Sequence, residues 1–225
     1  MTVSLGHAVW RALAGAVVVA IAAGAAAQTS IALPPAQTGG GKPLMQALAE
    51  RHSTRSFAPQ ALPPQVLANL LWSAFGVNRP ANAGIGGRTA PSAHDQQEID
   101  VYLMAADGSF RYVAKPPHRL ERVGTADLRA GADSQGLARA APLTLLYVAD
   151  DRRMTDRDDE STRRFYAAVD AGAIVQNVYL FCASEQLATV AFISVHRERL
   201  AAALGLASTQ RIVLAQAVGY PKERS

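Results

Sequence analysis

The feature that most constrains this chain is the run FYAAVDAGAIVQNVYLFCASEQLA, from Phe165 to Ala188, which is apolar nearly all round. A surface helix shows one apolar stripe, whereas a helix apolar on every side is buried. The run therefore marks a long central helix around which the rest of the chain must be arranged. Asp170 and Gln176 interrupt it, and burial would oblige both to find hydrogen-bond partners. Each is either satisfied within a helix interface or has a functional role. The single cysteine, Cys182, lies in the same run. One cysteine excludes an intramolecular disulfide and a Cys-based zinc site, and its apolar setting makes it a packed core thiol rather than a nucleophile.

Strands and shorter helices follow in mixed order. APLTLLYVAD (141–150) reads as a strand buried on both faces. EIDVYLMAADGSFRYVA (98–114) alternates Ile99, Val101 and Leu103 ahead of Asp107-Gly108 and a second short run, which is a hairpin signature. RIVLAQAVGYP (211–221) is a final strand. PLMQALAERHS (43–53) has helical spacing, with Leu44, Ala47 and Leu48 on one face behind a proline suited to a first turn. LPPQVLANLLWSAFG (62–76) repeats Val66, Leu67, Leu70, Leu71, Ala74 and Phe75 at helical spacing, with Gly76 placed to cap. HRERLAAALGL (196–206) is a short helix. NRPANAGIGGRTAPSAHDQQ (78–97) lacks periodicity and is expected as an irregular loop of the length that signals function or disorder. Segment 150–164 holds six acids and five bases, a solvated loop or helix start. Such a mixture without strict alternation is α+β, and 225 residues suffice for one substantial core.

Residues 1–27 carry a different message. RALAGAVVVAIAAGAAA (11–27) is apolar behind Arg11 and ends in alanines, the shape of a secretory signal peptide with a cut before Gln28. An uncleaved membrane anchor is the alternative. Cleavage implies a periplasmic or secreted protein. QTSIALPPAQTGGGK (28–42) has the composition of a linker or extended arm, leaving 43–225 as the globular domain. Its GGGKP is no phosphate loop, because the first glycine of that motif is missing and Pro43 stands where Ser or Thr belongs.

A formal net charge of +4 and a pI near 9.5 favour contact with anions. The charge is spread along the chain without a lysine-rich run, so nucleic acid is not the expected partner. The histidines show no metal-ligand spacing and the serines no Gly-x-Ser-x-Gly elbow. RHSTRSF (51–57) sets Arg51 and Arg55 around Ser53 and Thr54. Forked guanidiniums with short hydroxyls suit an oxyanion, and the same residues also read as a helix end with solvated basic side chains. GYPKER (219–224) is a second anion-friendly cluster, and RTAPSAHDQQEI (88–99) is a loop shaped by Pro91. Together they suit a ligand with a phosphate at one end and a flat polar body, and flavin mononucleotide (FMN) has those two parts.

RHSTRSF, LLWSAFGVNRP, GRTAPSAHDQQEIDVYL, DAGAIVQNVYLFCASEQLATV and AQAVGYPK occur in the order and spacing of the nitroreductase family. The chain resembles in particular the branch similar to SagB-type flavin oxidoreductases. The resemblance implies a mostly antiparallel sheet flanked by helices, an intertwined homodimer, and FMN held at the dimer interface. It implies electron transfer through FMN to a small-molecule acceptor such as a nitroaromatic or quinone. NAD(P)H is a cytoplasmic donor, so with an export signal either the donor is another, such as a membrane redox partner, or the signal is a cytoplasm-facing anchor. Carried over by position, Arg51, Ser53 and Arg55 match the block holding phosphate and ribityl chain, with His52 where a further arginine is frequent. Pro91, Ser92 and Ala93 match the segment laid along the isoalloxazine ring by the partner subunit, and Asp95 stands at a place usually held by asparagine. Gly219, Pro221, Lys222 and Arg224 match the end that closes over the phosphate, and Asn78, Gln176 and Leu187 join the implied cofactor site. Gln186 and Ile193 depart from family glycines expected near the flavin edge, where bare backbone allows close approach. The alternative function is a degenerate, non-enzymatic flavin- or ligand-binding member of the same fold.

Overall fold

The structure, a computed structural model, describes Met1 and residues 29–79, 86–155 and 159–222. Apart from Met1, the expected signal segment 1–27 lies outside them, as does Arg224. In chain order the elements are β1 (Ser30–Ala32), α1 (Leu44–Glu50), α2 (Pro64–Phe75), β2 (Val77–Arg79), β3 (Gly87–Arg88), β4 (Ile99–Ala105), β5 (Gly108–Val113) and β6 (Arg119–Gly124). There follow α3 (Leu137–Ala140), β7 (Leu143–Asp150), α4 (Glu160–Ser184), β8 (Ala188–Phe192), α5 (Arg197–Leu204) and β9 (Gln210–Gly219).

Seven strands form one sheet in the order β1-β6-β5-β4-β7-β9-β8, with every ladder antiparallel. Side chains of a strand point alternately to its two faces, and β4 and β7 each serve two cores on that basis. Ile99, Val101 and Leu103 with Leu143, Leu145, Tyr147 and Ala149 pack under α2 and α4. Tyr102 and Met104 with Leu146 and Val148 pack toward α3, α5 and β8. All eight residues of β7 are buried, which is why its sequence is a continuous apolar run rather than an alternating one.

The helix expected to be buried all round is α4, and the sheet covers only one side of it. Ala167, Asp170, Ala171, Ile174, Val178 and Cys182 are buried, whereas Phe165 and Val169 are 66% and 52% exposed. Gly172 and Gln176 continue that outer stripe and are also exposed. Beneath α4 a polar chain ties three strands together. Tyr147 Oη donates to Gln216 Oε1 at 2.6 Å, Gln216 Nε2 donates to Thr189 Oγ1 at 3.0 Å, and Thr189 Oγ1 donates to the Ala217 carbonyl at 2.8 Å. Cys182 is buried, and burial pushes its thiol far above the ordinary range.

Two segments differ from their sequence expectations. The arm 28–42 contributes β1 to the sheet edge by pairing Ser30, Ile31 and Ala32 with Glu121, Leu120 and Arg119. The loop 78–97 contains β3, which pairs with β2, and a short 3-10 turn at Ala93–Asp95. Both strands are too short for a period-2 pattern to register.

Gln186 occupies the left-handed region at φ 58°. It directly follows the C-cap of α4, and the Leu187 N–H donates back to the Cys182 carbonyl at 2.8 Å. This is a Schellman closure, whose left-handed position favours glycine because a Cβ is strained there. A glycine at this place therefore has a helix-ending role of its own. Gln186→Gly should stabilise the protein by about 1 kcal/mol, read from the midpoint of urea unfolding; an unchanged or lowered midpoint would refute the strain.

Candidate functional site

The two anion-friendly clusters, RHSTRSF ending at Phe57 and GYPKER beginning at Gly219, meet in space. The Phe57–Pro221 bridge joins them, the Ala58 N–H donates to the Tyr220 carbonyl at 2.9 Å, and the Lys222 N–H donates to the Ser56 carbonyl at 3.3 Å. The segment is seated on the sheet by the Thr54 N–H, which donates to the Thr189 carbonyl at 2.9 Å. Close packing is enforced at Gly219, where a Cβ would fall 2.5 Å from Pro142 Cδ.

Tyr179 of α4 anchors the same segment. Its hydroxyl lies 3.0 Å from Ser53 Oγ and accepts from the Ala191 N–H at 2.9 Å. The Arg51 guanidinium stands 5.2 Å from the centroid of its ring, within cation-π range. His52 turns its Nδ1 to the Glu50 carbonyl at 2.7 Å. Arg55 and Lys222 are exposed. Among the described residues, Arg51, Arg55 and Lys222 form no ion pair with a carboxylate. The result is a patch of uncompensated donors on a firm backbone.

Pro91, Ser92, Ala93 and Asp95 sit elsewhere in the same chain, on the turn leading into β4. The Ala93 N–H donates to Asp170 Oδ2 of α4 at 2.9 Å, and Ser92 Oγ accepts from the Gln97 N–H at 2.8 Å. Asp95 Oδ1 accepts from Gln97 Nε2 at 2.8 Å. Gln97 is held in turn by Arg88, whose Nε donates to Gln97 Oε1 at 2.7 Å. Burial lowers the pKa of the Arg88 guanidinium from its usual value, and that guanidinium also covers the Phe75 ring at 4.6 Å.

Asp170 and Tyr179 are nine residues apart, two and a half helical turns or about 13 Å, so they project from opposite sides of α4. The chain thus separates the 91–95 turn from the Arg51–Lys222 patch. The other residues tied by resemblance to the site are dispersed. Asn78 is exposed on β2, Gln176 is exposed on the outer stripe of α4, and Leu187 is buried at the entry to β8.

The Nitroreductase family model matches residues 48–220, which takes in RHSTRSF, the long helix α4 and the first two residues of GYPKER. The chain belongs to the nitroreductase family. A crystal structure of a protein described as a nitroreductase from Ralstonia eutropha is 38% identical to it, with a TM-score of 0.80 over 88% of this chain and 91% of that one. A protein of Methanocaldococcus jannaschii, also described as a nitroreductase, is 28% identical over 158 residues, spanning 65% of this chain and 76% of its own length. A Desulfovibrio desulfuricans structure, described as a nitroreductase in complex with FMN, shares the fold at 22% identity and a TM-score of 0.56, over 82% of this chain and 89% of that one.

Within this nitroreductase fold, three contributors escaped sequence reasoning. Tyr179 was hidden as one more aromatic in an apolar helix, although a hydroxyl on a packed helix face needs a partner. Thr189 lay on β8, which was not recognised as a strand. Glu98 was read only as the start of a hairpin. Ile193, where the family glycine is expected, is 72% exposed just beyond β8. Tyr179→Phe should leave Ser53 Oγ and the Ala191 N–H without their shared partner and destabilise the protein by about 1–2 kcal/mol. Amide exchange at residues 53–55 and 191 should speed up with it; unchanged exchange there would show that Tyr179 does not anchor the segment.

Proposed function

We propose that this nitroreductase is an FMN-dependent oxidoreductase that works as a homodimer, of the SagB-type branch. The observation that carries the reading is the meeting of RHSTRSF with GYPK. That meeting gathers Arg51, Arg55, Lys222 and the Ser53 hydroxyl into a donor set whose cations pair with no carboxylate among the described residues. Such a set fits the phosphate of FMN, because guanidiniums give paired charged donors and hydroxyls add neutral ones. The cofactor named in the Desulfovibrio desulfuricans structure supports the choice of flavin. When bound, FMN would supply the hydride and electron chemistry. The protein's task is to hold it, orient it and exclude water, which agrees with a site lacking a nucleophile and base in hydrogen-bond contact.

The homodimer is supported by two features. The outer stripe of α4 exposes Phe165 and Val169, and α1 exposes Leu44, Met45 and Leu48; large apolar side chains left in water suit burial at an interface. The Pro91–Asp95 turn and the Arg51–Lys222 patch lie on opposite sides of α4, so a ligand needing both is served by turns and patches from two chains. The branch assignment rests on the five ordered sequence blocks. The acceptor we propose is a nitroaromatic, quinone or similar small molecule. Export through the 1–27 segment would place the enzyme in the periplasm, where a membrane redox partner suits the donor role better than NAD(P)H.

A ligand-binding member without redox activity was suggested by Gln186, Ile193 and Asp95. A glycine at 186 has a helix-ending role of its own, so its replacement by Gln186 need not bear on the flavin, and Asp95 is engaged by Gln97; the oxidoreductase reading is therefore preferred. The deciding experiment is the visible spectrum of the purified protein with release and identification of its chromophore. The expected outcome is about one FMN per chain, and a protein that stays colourless after FMN is added would overturn the proposal. Arg55→Ala, which changes an exposed side chain, should weaken FMN binding by about 1.5–3 kcal/mol, the range of a charged hydrogen bond, measured by fluorescence titration; full retention of FMN at micromolar protein would remove Arg55 from the phosphate site.

A further inference from the structure

Glu98 is fully buried at 0% exposure, and its Oε1 faces no donor. Its Oε2 accepts from Ser92 Oγ at 3.2 Å. The neighbouring group is the carboxyl of Asp170, itself 4% exposed and already accepting from the Ala93 N–H. Two ionised carboxylates have only acceptors to offer each other, and like charges in a buried setting cannot both persist. A single proton held between the two carboxyls, which grip the adjacent residues Ser92 and Ala93, removes the repulsion and gives the orphan oxygen a role.

The other charged groups around this point do not neutralise the pair. From the 3-10 turn after β7, Arg153 donates to the Gln97 carbonyl at 2.9 Å and to Asp100 Oδ2 at 2.6 Å. Arg88 of β3 is spent on Gln97 and on the Phe75 carbonyl. Asp150 of β7 offers its backbone N–H to the Glu98 carbonyl and pairs its carboxylate with Arg152. On the turn itself, Asp95 accepts from Gln97, and His94 packs edge-on against Tyr166 of α4.

The backbone that the pair holds is costly to maintain. His94, Asp95 and Gln97 all have positive φ, at 53°, 53° and 49°. Non-glycine residues persist in this region only where their surroundings impose it, and such strain collects at functional sites. Glu98 acts through Ser92 and Asp170 through the Ala93 N–H, the two residues that open the strained turn.

We propose that Glu98 and Asp170 share one proton and act as a positioning latch that fixes the 92–97 turn against α4. The latch would shape the flavin-lining segment, and to that extent it rests on the FMN reading given above. Burial first, and the charge of Asp170 second among the raising influences, push the Glu98 pKa up. The folded protein therefore keeps a proton that the unfolded chain releases. The pair's contribution to stability is fully present below the ordinary carboxylate range and is lost as pH rises through the raised Glu98 value.

The test compares the full-length protein with Glu98→Gln and Glu98→Ala. Gln is an isostere that donates to Asp170 at every pH, so it keeps the latch and removes its titration. Infrared spectra of the apoprotein recorded across pH should show the carbonyl stretch of one carboxylic acid that stays protonated above the ordinary carboxylate range, and Glu98→Gln should lose it. Amide-exchange protection of residues 92–97, corrected for intrinsic rates, should fall about tenfold or more in the parent as pH rises through the range in which that band disappears. It should stay level in Glu98→Gln and be low throughout in Glu98→Ala. Absence of the acid band, its persistence in Glu98→Gln, or parallel pH dependence in parent and Glu98→Gln would overturn the latch. All of these readouts use protein without FMN, so a chain that proved unable to bind FMN would sink the cofactor proposal and leave the latch still decided by its own data.

Discussion

Asp170 and Tyr179 hang the two parts of the candidate site from a single helix, and the helical rise and turn fix both their separation and their opposite directions. Nothing in the loops sets that geometry. It holds because α4 is itself immobilised, its inner stripe pressed on β4, β7 and β9 and its far end closed by the Leu187 to Cys182 hydrogen bond. The Tyr147–Gln216–Thr189 chain below it extends the same rigidity to β8, where Thr189 receives the Arg51–Phe57 segment. A shift of α4 along its axis would therefore displace both parts of the site at once.

Much of this was written in the sequence where periodicity had room to speak. The hairpin 98–114, the doubly buried β7 and the helices beginning near Pro43 and Pro64 are long enough for spacing to declare the element. β1, β2 and β3 are not, since two or three residues cannot display a period. The arm looked like a linker because proline and glycine dominate its composition, yet Ser30–Ala32 needs only backbone groups to pair with β6. On α4 the sequence reported correctly that both sides are apolar. It could not say that one side meets the sheet and the other is left open, because hydropathy does not distinguish a core from an interface.

The site divides in the same way. Arg51, Ser53, Arg55 and Lys222 were legible because charged and hydroxyl residues clustered in short segments carry their chemistry openly. The groups that place them were not, because Tyr179 and Thr189 act through single hydroxyl, ring or backbone contacts that no spacing announces. Glu98 is the sharpest case. A carboxylate ahead of an alternating strand reads as a surface residue, and only its complete burial beside Asp170 gives it another meaning.

The sole cysteine has a consequence for where such a molecule can be assembled. Cys182 is sealed beneath α4, and burial keeps its thiol protonated, whereas reaction with disulfides or oxidants requires an accessible thiolate. No cross-link is needed to close the fold and none can form within one chain. The protein is therefore indifferent to the thiol–disulfide poise of its surroundings. A reducing and an oxidising compartment leave the chain equally without internal cross-links.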